Sequence, residues 1–222
     1  MPLKAVIFDL DGTLIDSAPD LRTACNKVLA QYGYRPITIE ETMTFVGNGA
    51  AKLMERAFRA SGKAVDVDHG EIDRLTTAFL EFYEGHEADE TRIYEGVVPT
   101  LHQLQKKNLR LALCTNKPSR PTLNLLKDLG LQDFFDVVVG GDELEHKKPH
   151  PQMIFHVLER MQLSACEAVM VGDSPNDIEA AKQASMLNVA VSYGYRKVSV
   201  EELGADIVID RFCDLPDALA TL

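Results

Sequence analysis

The 222-residue chain is poor in cysteine, in positive charge and in long apolar runs. Cys25, Cys114, Cys166 and Cys213 are widely spaced and form no Cys-x-x-Cys pair. That excludes a disulfide framework and a cysteine-based zinc site; they read as free, mostly buried thiols of a cytoplasmic protein. None of the six histidines stands at a metal-type spacing from them, and His146 and His150 read as loop residues flanking Lys148. Acidic residues outnumber basic ones by 34 to 23, a formal charge of −11. A phosphate backbone calls for a basic surface, so no nucleic-acid partner is expected. No apolar run approaches the roughly 20 residues that span a bilayer. The N-terminus enters a strand directly, without a secretory pattern. No membrane partner is therefore expected, and the chain shows no repeat or low-complexity tract.

Against this background the run Lys4-Ala-Val-Ile-Phe-Asp-Leu-Asp-Gly-Thr-Leu14 stands out. Lys4 to Leu10 has the short apolar pattern of a buried parallel strand. Asp9 and Asp11 follow at a spacing of two, starting on one face of the strand. At the carboxyl end of a strand in an open α/β sheet, that face opens into the ligand crevice. Two carboxylates there can hold a divalent cation through hard oxygens. One can also attack phosphorus while the other moves a proton. Taken alone, Asp-x-Asp-Gly is equally a turn after a strand.

Further strand-like runs occur at Leu109 to Cys114, Val137 to Val139, Ala168 to Val171, Val189 to Val191 and Ile207 to Ile209. Helical patterns separate most of them, which predicts a doubly wound parallel sheet. Three segments carry polar groups toward the edge where Asp9 and Asp11 lie: Thr115-Asn-Lys117, Lys147-Lys-Pro149 and Gly172-Asp-Ser-Pro-Asn-Asp177. Thr115 offers a hydroxyl, and the Thr115–Asn116 backbone offers N–H groups, to phosphoryl oxygens. Lys148 offers a positive charge to a transferring phosphoryl group. Asp173 would complete a magnesium site with Asp9. Asp177 falls at the start of a helix expected to run to Ala184, where Ser174 or Asn176 could cap it. Lys117, Arg120, Lys147 and Lys148 are candidates for local positive charge on an otherwise negative protein.

After Leu14 the strand–helix rhythm stops for about 80 residues, longer than an ordinary loop. Ser17 to Asp20 resembles a capping start, and Leu21, Ala24, Val28, Leu29 and Tyr32 follow at helical spacing. Thr38 to Glu41 is a second capping signal. Ala50, Leu53, Met54, Ala57 and Phe58 line a further helix, and Ile72, Leu75, Phe79, Phe82 and Tyr83 another. These stripes predict a helical bundle. The expected organisation is a Rossmann-like core (residues 1–15 plus 93–222) with an inserted helical cap (16–92), hinged at two linkers.

The segments Asp9-x-Asp11-Gly12-Thr13, Thr115, Lys148 and Gly172-Asp173-Ser174-x-x-Asp177 resemble, in order, the four motifs of the haloacid dehalogenase superfamily. Within it, Phe45-Val-Gly-Asn-Gly-Ala50, Thr115-Asn-Lys-Pro118, Gly140-Gly-Asp142, Lys147-Lys-Pro-His-Pro151 and Tyr193-Gly-Tyr195 are most similar to bacterial phosphoglycolate phosphatases. The resemblance implies a magnesium-dependent phosphomonoesterase with an aspartyl-phosphate at Asp9 and acid–base work by Asp11. It implies metal binding by Asp9, the Asp11 backbone carbonyl and Asp173. Phosphoryl binding falls to Thr115, Asn116 and Lys148, with Gly12 and Asp177 in support. The expected partner is a small anionic phosphate ester, and the expected state a monomer or homodimer. A phosphatase of sugar phosphates or pyrophosphate, or a sugar-phosphate mutase, would keep the same residues. A phospho-aspartate receiver domain, by contrast, lacks a cap and carries its acceptor on a later strand. In the cap, Lys52 and Arg56 are candidates to meet a substrate carboxylate, or else face solvent.

Overall fold

The computed structural model describes residues 2–62, 69–195 and 198–222. Its strands are β1 Ala5–Phe8, β2 Ile15–Asp16, β3 Arg92–Ile93, β4 Arg110–Cys114, β5 Val137–Val139, β6 Ala168–Gly172, β7 Leu187–Val191 and β8 Ile207–Ile209. Its helices are α1 Ala18–Gln31, α2 Ile39–Phe45, α3 Ala50–Ala60, α4 His69–Tyr83, α5 Val97–Lys106, α6 Ser119–Asp128, α7 Gln152–Met161, α8 Pro175–Gln183, α9 Val200–Leu203 and α10 Leu215–Leu219. None of them is long and apolar enough to cross a membrane.

Six strands form a parallel sheet in the order β5-β4-β1-β6-β7-β8. Every residue of β1 and β6 is buried, so both faces must be apolar, and alternation gives way to continuous hydrophobic runs. Val6 and Phe8 of β1 pack with α5, α6 and α10 on one face. Ala5 and Ile7 pack with α7 and α8 on the other. The fold is thus the expected doubly wound α/β sheet. The chain lays β4 and β5 on one side of β1, then β6 to β8 on the other. That reversal puts the ligand crevice at the carboxyl end of β1, beside the ends of β4 and β6.

Between β2 and β3, the helices α1 to α4 form the inserted helical cap around a buried cluster of their own. It includes Leu21, Cys25, Val28, Leu53, Met54, Phe58, Leu75, Phe79 and Tyr83. The capping box expected at Thr38 and Glu41 is present. The one expected at Ser17 is not: Ser17 precedes α1 without capping it, and its hydroxyl donates to Asp11 Oδ1 at 2.5 Å.

The stretch after Leu14 also holds two short strands that the sequence pattern does not betray. β2 and β3 pair antiparallel, Ile15 with Ile93 and Asp16 with Arg92. Two-residue strands carry no periodicity to read. Close by, buried Asp20 accepts hydrogen bonds from the Glu90 and Thr91 N–H groups and from the Thr91 hydroxyl. The first turn of α1 is thereby fastened to the segment that leads into β3.

Two of the four cysteines depart from expectation. Cys25 and Cys114 are buried, but Cys166 and Cys213 are exposed, because they lie in short surface turns outside the packed faces of the sheet.

Candidate active site

Asp9 follows β1 directly, and its N–H donates to Val171 O of β6 at 3.0 Å, which fixes the backbone against the sheet. Lys148 arrives on the loop between β5 and α7. Its ammonium donates to Asp9 Oδ1 at 2.9 Å, to Asp177 Oδ1 at 2.6 Å and to the Cys114 carbonyl at 2.5 Å. All three ammonium hydrogens therefore have acceptors, the condition under which a buried cation is tolerated. Asn116 holds the same loop: its side-chain oxygen accepts from Lys148 N, and its amide donates to Lys148 O and to Gly47 O of the cap. The side chain of Asn116 is thus committed to positioning Lys148, and only its backbone remains for the phosphoryl role expected of it. Thr115, buried beside it, lines the cleft.

The carboxyl end of β6 supplies Asp173 and Asp177. Asp177 Oδ2 accepts from Ser174 N and Oγ, closing a capping box that starts α8. One carboxylate thus serves a helix end and the Lys148 ammonium together. Oxygens of Asp9, Asp173 and Asp177 lie within 4.8 Å of one another, and all three residues are buried. Burial, with Asp177 adding like charge and Lys148 opposing it, pushes Asp9 up to about 7. Burial first, then Asp177 and Asp9, pushes Asp173 well above the usual carboxylate range. Burial alone would depress Lys148, but Asp177 and Asp9 outweigh it and hold the ammonium above its ordinary value. Three buried carboxylates against one ammonium leave an excess of negative charge on hard oxygen donors. That donor set suits a divalent cation.

The expected metal set was Asp9, the Asp11 backbone carbonyl and Asp173; the clustered carboxylates are Asp9 and Asp173, joined by Asp177, which was expected only in support. The Asp11 side chain points elsewhere, toward Ser17 and Lys117, so any share of Asp11 in the cation site falls to its backbone oxygen. Gly12, at φ +88°, packs against Asp173: a Cβ there would lie 2.4 Å from Asp173 Oδ2. Gly194 closes the other side, and Tyr195 N donates to Asp173 Oδ2 at 2.6 Å. The segment Tyr193 to Tyr195 therefore reaches the site, through Asp173.

Several contributors were not legible as such. Lys117 was expected as positive charge at the site, without partners; its ammonium is buried 3.3 Å from Asp11 Oδ1 and 3.0 Å from the Tyr83 hydroxyl. Tyr83 read as bundle core. Its stripe spacing gave no hint that the hydroxyl leaves the bundle. Asn176 donates to Gly47 O at 2.9 Å and accepts from Asn48 at 3.3 Å, tying the end of β6 to the cap. The other candidate cations lie outside: Arg120 pairs with Glu84 at the surface, and Lys147 is exposed.

The cleft has two arms that share Asp9, Asp11, Val46 and Gly47. One is walled by Leu21, Leu53, Phe79, Leu80, Tyr83 and Pro121, together with Lys117 and Lys148. The other, the polar arm, is lined by the polar side chains of Asn48, Arg56, Asp173 and Asn176. The two cap cations have separate fates. Lys52 is 47% exposed and pairs with Glu55. Arg56 is half-buried, donates to Phe45 O and Asn48 Oδ1, and faces the polar arm.

Residues 6–191 match the family model of haloacid dehalogenase-like hydrolases. The chain is 42% identical to a phosphoglycolate phosphatase of Rhodospirillum rubrum over 97% of its length and 90% of the relative's. It is 39% identical to a phosphoglycolate phosphatase of Caulobacter vibrioides, covering 98% and 91% of the two chains. Among solved structures, that of a predicted phosphoglycolate phosphatase from Haemophilus somnus superposes with a TM-score of 0.90 at 31% identity, over 97% of each chain. With the fold, the four converging segments and these relatives in agreement, the chain belongs to the haloacid dehalogenase-like hydrolases, as a phosphoric monoester hydrolase of the phosphoglycolate-phosphatase-like kind.

Proposed function

We propose that the protein hydrolyses 2-phosphoglycolate to glycolate and phosphate, with magnesium, through an aspartyl-phosphate on Asp9. The observation that carries this reading is the unequal setting of two carboxylates two residues apart. Asp9 sits among Asp173, Asp177 and Lys148, whereas Asp11 is held apart by Ser17 and Lys117. A cation on the acidic cluster would keep Asp9 ionised for attack despite its burial, while Asp11, outside that cluster, is left to act as acid and base.

In this reading Asp9 attacks phosphorus and the ester bond breaks, while Asp11 gives its proton to the departing glycolate oxygen. Asp11 then takes a proton from the water that attacks the aspartyl-phosphate, releasing phosphate and restoring both carboxylates. Lys148 and Thr115 hold the phosphoryl oxygens, and Asp177 keeps Lys148 aimed. Magnesium held by Asp9, Asp173 and the Asp11 backbone, with Asp177 alongside, would offset charge on the transferring group. Residues 16–92 act as the cap and exclude water when seated. Arg56, in the polar arm, is the cap group placed to meet the substrate carboxylate; Lys52 is not.

The test is magnesium-dependent phosphate release from 2-phosphoglycolate beside sugar phosphates, pyrophosphate and nucleotides. A kcat/KM for phosphoglycolate far above the rest supports the assignment. A flat or sugar-favouring profile removes the substrate and keeps the chemistry. Asp9→Asn is expected to lose turnover and phosphoenzyme; normal activity in that variant would remove the mechanism.

A further inference from the structure

We propose that Lys117 is a positioning residue for Asp11, and that Tyr83 makes this positioning depend on the seat of the cap. The proposal rests on the reading of Asp11 as proton donor to the leaving group.

Lys117 is buried and lines the arm walled by Leu53, Phe79, Leu80 and Pro121. A buried ammonium needs partners, and this one has two side chains: Asp11, at 3.3 and 3.4 Å from its two oxygens, and the Tyr83 hydroxyl at 3.0 Å. It also lies 4.7 Å from the centre of the Tyr83 ring, within reach of the ring's negative face. Its distance to Asp11 is near the outer limit for a hydrogen bond. Lys117 therefore steadies the Asp11 carboxyl by long N–H···O contacts, which a protonated carboxyl also accepts, rather than locking it in a short ion pair. The Ser17 hydroxyl also donates to Asp11 Oδ1, at 2.5 Å.

The three groups come from three places. Lys117 belongs to the loop after β4, Ser17 to the first linker, and Tyr83 to the last turn of α4 in the cap. Lys117 follows directly on Asn116, which joins Gly47 of the cap to Lys148. Two consecutive residues thus connect the cap to two different catalytic groups, Lys148 and Asp11. When the cap lifts, Tyr83 leaves Lys117, and the carboxylate that must face the leaving oxygen loses part of its guide.

A residue that acts through the proton donor matters most when the leaving group needs the proton. The experiment compares kcat/KM for alkyl phosphates, including 2-phosphoglycolate, with that for 4-nitrophenyl phosphate, whose leaving group departs unaided. The variants are Lys117→Met, Lys117→Arg, Tyr83→Phe and Asp11→Asn. Lys117→Met is expected to lose about 10- to 100-fold on alkyl esters, the range for a misplaced catalytic group, and about twofold on the aryl ester. Tyr83→Phe removes one hydroxyl from the fold and is expected to shift the ratio the same way, by less. Lys117→Arg should recover part of the alkyl activity. Equal losses on both ester classes in Lys117→Met, or an unchanged ratio in Tyr83→Phe, would overturn the proposal. Asp11→Asn separates the two layers. A selective alkyl loss there with an unselective Lys117→Met rejects the inference alone. An unselective Asp11→Asn rejects the proton-donor reading, and the inference with it.

Discussion

Lys148 Nζ lies 2.6 Å from Asp177 Oδ1, with 1% and 0% of the two side chains exposed. Such a pair gains little net stability over an apolar one, but removing Asp177 leaves one ammonium hydrogen of Lys148 without an acceptor, while Asp9 and the Cys114 carbonyl keep the other two.

Asp177→Ala is therefore expected to cost about 1.5 to 3 kcal/mol of folding stability, the range for a hydrogen bond to a charged group. The capping box at the start of α8 is lost in the same step. Asp177→Asn keeps an acceptor oxygen and should cost less. Urea unfolding of the two variants checks both the size and the order.

Stability without metal should fall as pH rises from about 4 to 7. Burial holds Asp9 up to about 7 in the folded chain, against an ordinary carboxylate value of 3.8, and it raises Asp173 as well. The folded state then binds more protons than the unfolded one across that window, so the contribution present below the lower value is lost through the upper. A cation that binds the ionised carboxylates competes with those protons. Added magnesium should raise the melting temperature more at pH 8 than at pH 5. Thermal unfolding with and without chelator is the measurement, and equal shifts at both pH values would count against the buried carboxylates as its site.

Gly194→Ala should weaken the cation more than the substrate. A Cβ at Gly194 would stand 2.3 Å from Asp173 Cβ and 2.5 Å from Gly12 O. Something must shift, and Asp173 is what the glycine packs against. The magnesium concentration for half-maximal activity is expected to rise about tenfold, the lower end for disturbing a group that orients a ligand. KM for substrate at saturating magnesium should move little.

The two cap cations should behave differently. Arg56→Met is expected to raise KM for 2-phosphoglycolate about tenfold or more, in line with an ionic contact worth 1.5 to 3 kcal/mol, and to leave a neutral ester within about twofold. Lys52→Met, which loses only an exposed pair with Glu55, should leave both substrates unchanged. Steady-state kinetics on an acidic and a neutral ester distinguish them.

The strands could be read in advance because a fully buried parallel strand must be a short apolar run, and the groups at its end must be polar where the crevice opens. Asp9, Thr115 and Asp173 follow from that rule, whereas Lys148, nine residues past the end of β5, and Asp177, inside α8, were singled out by the resemblance. The contact between Tyr83 and Lys117 was not legible, since they are 34 residues apart and meet only because the cap folds back over the loop after β4. A tyrosine in an apolar stripe gives no sign of where its hydroxyl ends. Ser17 misled for a related reason: the same hydroxyl that can cap a helix can bond a carboxylate six residues back, and only the packed structure decides between them. Asp20 looked like part of a helix start, and its grip on residues 90 and 91 depends on a chain reversal that local pattern does not contain.

The Gly47 carbonyl receives hydrogen bonds from Asn116 at 2.8 Å and from Asn176 at 2.9 Å, residues of the segments that follow β4 and β6, the strands on either side of β1. One oxygen of the cap thus works as a coincidence detector. It is fully satisfied only when the loop that aims Lys148 and the loop that carries Asp173 and Asp177 are both in register. Damage to either loop is then felt at the same latch. Lesions on opposite sides of β1, remote in sequence and different in chemistry, would share one signature, a weaker hold on the turn at Gly47.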